Sequence, residues 1–424
     1  MSEVQQTTGF DALSKELQEE TIRDYLEVSD NKKALVDLQA TIDARRQGFT
    51  EIWPTGFARL DAKLDGGFLG EQLIFLGAIS SLGKTSFALQ IATQIAEQGK
   101  DVLIFSLEMS KDELNAKTIS RYTYLQTEKE KYLQDYRLTT RDILTGNIGG
   151  VAMGAATDYK GQVYVNAYNA ATQIADRVRI IVGENDINVD QVRESVDIHI
   201  RATRRRPFVV LDYLQILQPS QDANTTDKRL LTDYDVTRLK VISRDFRIPI
   251  LVISAFNRIS YYDPVSMGSF RESSGIEYSS DILLGMQYKG MDYKKELIPV
   301  NENGKQTAKL EYERTADHNN RVRGLLDKMD ETGSQGGELP IELKILKNRN
   351  GSKGTLAYNF LPRYNYYYET EHESRPIRIA KQKPSSSVDS SQTPPKKPVI
   401  YTYSAIRAYS IKRVRFYYCV ISVI

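Results

Sequence analysis

Gly83, Lys84 and Thr85 close the stretch Gly77-Ala78-Ile79-Ser80-Ser81-Leu82-Gly83-Lys84-Thr85, and those residue types in that order are the ones a polyphosphate site needs. Triphosphate binding calls for backbone N–H groups curled round the β-phosphate, a helix N-terminus aimed at negative charge, a flexible cation and a hydroxyl that reaches Mg²⁺. The apolar run Leu73-Ile74-Phe75-Leu76 comes before the stretch and the helical pattern Phe87 to Ala92 after it, which is the strand, loop, helix order of a P-loop. Ala78, Ser81, Gly83, Lys84, Thr85 and Ser86 are therefore the candidate nucleotide-binding residues. The pattern G-x-x-x-x-G-K-[ST] would put its first glycine at position 78; the chain has Ala78 with Gly77 beside it, and a small residue is expected to suffice.

A nucleotide hydrolase also needs acidic groups, one to hold Mg²⁺ from the side opposite the phosphates and one to take a proton from attacking water. Asp212 follows Phe208-Val209-Val210-Leu211 at a strand end and fits the first role, with Thr85 as the second Mg²⁺ ligand. Glu108, just past the run Val102 to Phe105, fits the role of general base. Lys347-Asn348-Arg349-Asn350-Gly351 follows a strand around Ile345 and turns on Asn-Gly as a hairpin would. Its basic side chains could reach a γ-phosphate in the same subunit or across an interface, or simply be solvated.

The elements that must carry these groups alternate. Strands are expected at 73–76, 102–105, 178–182, 208–212, 250–254, 282–284 and 343–346, with helical spacing after the P-loop, through Val192, Val196 and Ile200, and over Val236–Phe246. Continuous apolar strands between helices predict an α/β fold with a mostly parallel sheet covered on both faces. Residues 1–50 form a helical extension with spaced apolar positions (Leu13, Leu17, Ile22, Leu26, Leu35, Leu38, Ile42) that must pack on something else. Residues 51–370 form the catalytic domain, with a polar surface insertion over about 289–337, and 371–424 a low-complexity linker and tail expected to be disordered.

Composition excludes several classes. With 41% hydrophobic and 26% charged residues over 424 positions, the chain can bury a large core. A net charge of +2 drives no global attraction to nucleic acid or anionic lipid, so any DNA surface has to be local. One cysteine, Cys419, and three scattered histidines offer neither a disulfide framework nor zinc spacing. No apolar run nears the ~18 residues of a spanning helix and the first residues are acidic and amidic, so a cytoplasmic protein without membrane association is expected.

Taken together, Thr55-Gly56-Phe57, Leu60-Asp61, the P-loop, Ser106-Leu107-Glu108-Met109, Asp212-Tyr213-Leu214-Gln215, Ser254-x-x-Asn257-Arg258, Phe270-Arg271-Glu272-Ser273 and Lys347-x-Arg349-Asn350-Gly351 resemble, in order, the RecA-like ATPase domain of DnaB-type replicative helicases. The resemblance spans about residues 50 to 365. It implies a ring-shaped homohexamer that binds ATP and Mg²⁺ between subunits and moves 5′ to 3′ on single-stranded or forked DNA. It also implies Lys84 on the phosphates, Glu108 as base, Asp212 as Mg²⁺ ligand, and Lys347 and Arg349 acting in trans. Arg271, Glu272 and Gly275 would lie in a loop that grips DNA along the channel. The chain departs from the family's pattern at Ala255, where glutamine is usual, and at Ser274-Gly275, where Gly-Ser is usual. The family's globular N-terminal domain has no counterpart before residue 50, so primase coupling by the usual route is not expected. Two other readings compete: a RecA-like DNA-binding ATPase without unwinding activity, and a small-molecule P-loop kinase or GTPase, the latter disfavoured by the lack of an Asn-Lys-x-Asp motif.

Overall fold

The computed structural model describes the chain except residues 1–13, 29–30, 47–50, 184–186, 221–226, 258–260, 271–272, 303–304 and 371–424. Six apolar runs form the parallel strands of one sheet: β1 (Leu73–Ala78), β2 (Val102–Ser106), β3 (Val178–Val182), β4 (Phe208–Asp212), β5 (Ile250–Ala255) and β6 (Ile282–Tyr288). Three antiparallel strands, β7 (Leu339–Asn348), β8 (Gly354–Leu361) and β9 (Tyr366–Glu369), extend it, giving the order β9-β8-β7-β6-β1-β5-β4-β2-β3. The sheet is thus mostly parallel, as the alternating pattern requires, with an antiparallel edge whose last two strands the apolar pattern did not announce.

Every residue of β1, β2 and β4 is buried, as expected of strands covered on both faces, whereas the edge strand β3 is partly open. The helices are α1 (Lys15–Val28) and α2 (Asn31–Arg46), then α3 (Lys84–Glu97), α4 (Lys111–Thr127), α5 (Tyr159–Ala175), α6 (Val189–Thr203), α7 (Lys228–Phe246), α8 (Ser273–Ser279) and α9 (Thr315–Ser334). Leu13 lies outside the described residues; in α1 and α2 the other spaced apolar side chains, among them Leu26 and Leu35, are exposed, so these helices form without contributing to the sheet's core.

The segment expected to be a polar surface insertion lies between β6 and β7 and has secondary structure of its own. It folds as a hairpin, Lys295–Glu302 against Lys305–Tyr312, followed by α9. Helix α9 buries Val322, Met329 and all of His318, whose Nε2 lies 2.9 Å from Tyr262 O and whose Nδ1 lies 3.1 Å from Glu313 Oε1. So sparse a buried stripe in an otherwise charged helix does not mark it as packed.

At the end of the sheet opposite the P-loop, Asp101 precedes β2 and is almost fully buried. It takes Arg177 at 3.0 Å, Arg205 at 3.0 Å and His199 Nε2 at 3.1 Å, tying the starts of β2 and β3 to α6. Burial pushes the His199 imidazole below its usual range, against the pull of Asp101. Asp101→Ala leaves two guanidinium groups facing a buried gap and is expected to cost about 3 kcal/mol of stability. Urea denaturation checks this, and a cost under about 1 kcal/mol would show that the cluster is only surface decoration.

Candidate functional site

The candidate nucleotide-binding residues are positioned by a sharp change of direction at the end of β1. Ala78 ends the strand, paired with Met286 on one side and Ala255 on the other, and the chain reaches α3 through Ser81 at φ 66° and Gly83 at φ 74°. Gly83 is the N-cap of α3 and no side chain caps it, so the first-turn N–H groups carry the helix's partial positive charge unopposed. A Cβ on Gly83 would come within 2.6 Å of the Phe360 ring and 2.8 Å of the Tyr367 hydroxyl. Glycine is required there twice over, by backbone conformation and by lack of room.

Phe360 and Tyr367 stack at 4.1 Å and form a floor beneath the loop, with Phe87 edge-on to Tyr367 at 5.0 Å. The Tyr367 hydroxyl donates to Leu82 O, and Gln90 of α3 exchanges two hydrogen bonds, 2.8 and 2.9 Å, with the Tyr367 backbone. Gly77, next to the missing first glycine, serves packing instead: a Cβ there would lie 2.2 Å from Phe256 and 2.5 Å from Phe270. Ala78 takes the position the pattern gives to glycine, and its carbonyl accepts from Lys84 Nζ at 3.1 Å.

Lys84 folds back over this loop, donating also to Ile79 O at 3.2 Å. Burial pushes its ammonium below the usual lysine range, against the charges of Asp212 and Glu108. The Thr85 hydroxyl donates to Asp212 Oδ2 at 2.7 Å, joining two residues 127 positions apart. Burial pushes the Asp212 carboxyl up to about 6; the Thr85 hydrogen bond opposes that rise, Glu108 adds to it, and Lys84 and Lys117 oppose it. One hydroxyl and one carboxylate side by side fit a divalent ion that takes its other ligands from phosphate and water. Among the described residues no cluster of three or more His, Cys, Asp or Glu could hold a metal by itself.

Glu108 lies on a turn fixed at both ends. Ser106 Oγ donates to Met109 O at 2.7 Å and accepts from Met109 N–H at 3.2 Å, and Ser110 caps α4 in a reciprocal box with Glu113. Ser106 pairs with Asp212 across β2 and β4, which puts Glu108 and Asp212 at the same end of adjacent strands. Ser86 is buried and its hydroxyl donates to Asn365 Oδ1 at 3.0 Å; Lys117 Nζ reaches the same oxygen at 2.8 Å. Lys117 and Asn365 escaped sequence reading because a lysine inside a helix and an asparagine in a turn carry no motif. The Tyr366-Tyr367-Tyr368 run was the one available signal for the floor.

Ala255 leaves no amide side chain at the tip of β5, and a neighbour supplies one. Gln215 donates from Nε2 to Ser254 Oγ at 2.9 Å and accepts the Ala255 N–H at 3.3 Å.

Lys347 and Arg349 are not brought to this site. Asn348 pairs with Ile282, and Ile282 with Ile74, so the basic turn lies by the start of β1, roughly 13 Å along the strands from Ala78. The predicted Asn-Gly hairpin is present there, between β7 and β8. Arg271 and Glu272 lie outside the described residues. Gly275 sits in α8, where a Cβ would meet Asp233 Oδ1 at 2.0 Å. A separate cleft of about 500 Å³, lined by Leu89, Lys111, Asn115, Ile174 and Arg179, receives none of the P-loop residues.

Sheet order, loop and acidic pair define a RecA-like P-loop fold. The chain belongs to the DnaB-like helicase C terminal domain family, whose model matches residues 53–369. It is 26% identical over 331 residues to "Replicative DNA helicase DnaC" of Bacillus subtilis (strain 168), a match covering 77% of this chain and 58% of that protein. It is 23% identical over 365 residues to "Replicative DNA helicase DnaB" of Helicobacter pylori (strain ATCC 700392 / 26695), covering 84% of this chain and 66% of that protein. The chain thus spans about three fifths of the length of these relatives. Among solved structures, one described as an ATPase domain aligns with a TM-score of 0.57 at 20% identity, covering 81% of this chain and 99% of that one. "The Structure Of A DnaB-Like Replicative Helicase And Its Interactions With Primase" aligns with a TM-score of 0.57 at 18% identity, covering 83% of this chain and 74% of that one. At those identities the two structures show the fold alone.

The Asp212 environment has a consequence for stability. An aspartate in the unfolded chain titrates near about 3.9, below the folded value, so the wild-type fold loses stability as pH rises between about 4 and 6, and the loss is complete above that. Asp212→Asn carries no such loss and is expected to be more stable by on the order of 2 kcal/mol near about pH 7.5, the gain shrinking towards about pH 4.5. Denaturant titrations at the two pH values check this; a lower midpoint for the variant at the higher pH would contradict it.

Proposed function

We propose that this chain is an ATP-driven DNA helicase of the replicative type, working as a homohexamer with nucleotide bound between neighbouring copies and moving 5′ to 3′ on single-stranded DNA. The observation that carries this reading is the division of the active groups between the two ends of one sheet. Lys84, Thr85, Glu108 and Asp212 gather at the C-terminal ends of the parallel strands, while Lys347 and Arg349 lie at the other end. No rotation of Arg349 reaches its own P-loop, so a role on the γ-phosphate requires a second copy placed head to tail.

In this reading the α3 N-terminus and Lys84 cradle the phosphates of ATP, and Thr85 and Asp212 hold Mg²⁺. Mg²⁺ would supply charge neutralisation on the β- and γ-phosphate oxygens. Glu108, on its clamped turn, takes the proton from water, and Arg349 and Lys347 of the next copy stabilise the charge that develops on the γ-phosphate. Gly275, with Arg271 and Glu272 before it in sequence, is assigned to DNA contact. The alternative, a DNA-binding ATPase that does not unwind, draws on Ala255, since that position lacks the side-chain amide.

Lys84→Ala is expected to abolish ATP hydrolysis with the fold retained. Arg349→Ala alone is expected to lower turnover by ~10³-fold or more. Mixing Arg349→Ala with Lys84→Ala copies should restore part of the turnover, because some interfaces then pair an intact loop with an intact arginine; strictly additive inactivity would end the trans-acting assignment. Strand displacement on forked duplexes separates motor from binder. Unwinding with ATP on a 5′-tailed but not a 3′-tailed fork is expected, and ATP turnover without displacement on either would favour the alternative.

A further inference from the structure

Arg349 is engaged within its own chain. Asp281, 4% exposed, stands between the end of α8 and the start of β6, and its two carboxylate oxygens do different work. Oδ2 accepts the Leu73 N–H at 2.8 Å and Lys240 Nζ at 2.6 Å, which pins the start of β1 and the middle of α7 to this corner. Oδ1 faces Arg349 Nη1 at 3.2 Å, while the Arg349 N–H donates to Asp281 O at 2.9 Å. Lys347 is held beside it, its Nζ donating to Glu277 O at 2.5 Å. We propose that Asp281 is the positioning residue for Arg349: it parks the guanidinium at the subunit edge and yields it when the more highly charged triphosphate of the neighbouring copy arrives. The proposal rests on the trans-acting reading of Arg349.

Charge supply makes the hold exchangeable. Lys240 and Arg349 pair with one buried carboxylate that already serves a backbone N–H, and Lys347 lies close enough to feel the charges of Asp281 and Glu277, so three cations stand against two carboxylates and the corner attracts a further anion. Burial and the Arg349 charge both push the Lys347 ammonium below its usual range, in keeping with that excess. The Arg349 side chain is 54% exposed, so water screens its pairing and little stands in the way of release. Its backbone, by contrast, is fixed by the N–H bond to Asp281 O, so the side chain swings from a set origin.

Asp281→Asn keeps an oxygen for Leu73 N–H and Lys240 and turns an NH₂ group towards Arg349, which evicts it. ATP turnover without DNA is expected to rise several-fold with KM unchanged, and the rise is expected to vanish when combined with Arg349→Ala. Lys240→Met tests the opposite sign without altering the carboxylate: it leaves Arg349 a larger share of Asp281, so turnover falls several-fold in the wild-type background and is unchanged in the Arg349→Ala background. Unchanged or lower turnover for a folded Asp281→Asn, or unchanged or higher turnover for Lys240→Met, overturns the proposal. An equal loss for Lys240→Met in both backgrounds overturns it too, since that is what mere structural damage gives. If Arg349→Ala alone leaves turnover intact, it is the trans-acting reading that fails, a result separable from any effect at Asp281.

Discussion

The carboxylate of Asp212 sits where a polypeptide would not place a charge for stability alone. It ends a strand of five buried residues, it is itself 3% exposed, and it accepts a hydrogen bond from a threonine hydroxyl, which carries no charge to offset its own. A buried carboxylate with one neutral hydrogen bond costs free energy, which shows in the upward push on its titration. Such a cost fits the use we propose for the position: at the C-terminal ends of parallel strands, beside an uncapped helix start, a carboxylate and a hydroxyl would form half of a cation site. The rest of the site is arranged round that pair. Register across β2 and β4 sets Glu108 next to Asp212, and the β1 to α3 turn sets Lys84 and Thr85 over it.

One sheet presents two chemically opposite ends. At the P-loop end Lys84, Thr85, Glu108 and Asp212 gather by an uncapped helix start; at the other, Lys240 and Arg349 pair with Asp281 and Lys347 lies near them. The antiparallel β7 makes this possible, because it runs back from the P-loop end and delivers the basic turn at the start of β1 and β6. Had β7 continued in parallel, its C-terminal turn would have lain by the chain's own P-loop, and the cations could have served the same pocket.

The parallel half of the fold and the loop were legible because buried parallel strands are written as continuous apolar runs, and a P-loop has a fixed order of residue types. The strands at 178–182 and 208–212 have the observed bounds. The antiparallel edge was harder. β8 opens on half-open Gly354 and Thr355 and is broken by Asn359, β9 buries only Tyr367, and tyrosine fills positions where an apolar run would show valine or isoleucine. The Asn365 turn between them takes φ 53°, so its role as acceptor for Ser86 and Lys117 depends on a backbone conformation that residue type only hints at. Gly77 stands beside the position that the P-loop pattern gives to glycine, and the Phe256 and Phe270 rings occupy the space above it. Long-range packing, unreadable from local spacing, decided that residue. The same holds for His318, whose acceptor at Tyr262 lies 56 positions away.

Residues 53 and 369 bound the family match, and the structure gives those limits a physical meaning. Glu369 accepts from the Arg59 N–H at 2.9 Å and the Leu60 N–H at 3.1 Å, satisfying free donors in the first turn of the short helix Ala58–Lys63. Asp61 in that helix reaches back to the Thr55 N–H at 2.7 Å and the Gly56 N–H at 3.2 Å. Phe57 stacks on Phe87 of α3 at 5.2 Å and meets Tyr358 of β8 edge-on at the same distance. The two ends of the matched segment therefore close on each other behind the helix that begins at Lys84. Removing β9 would strip the floor from Leu82 and Gly83, and would leave the Gln90 amide without the Tyr367 backbone it pairs with. Gln90 and Tyr367 are 277 positions apart, so the P-loop helix is held by the far end of the domain. Both ends of 53–369 are thus needed to build the site.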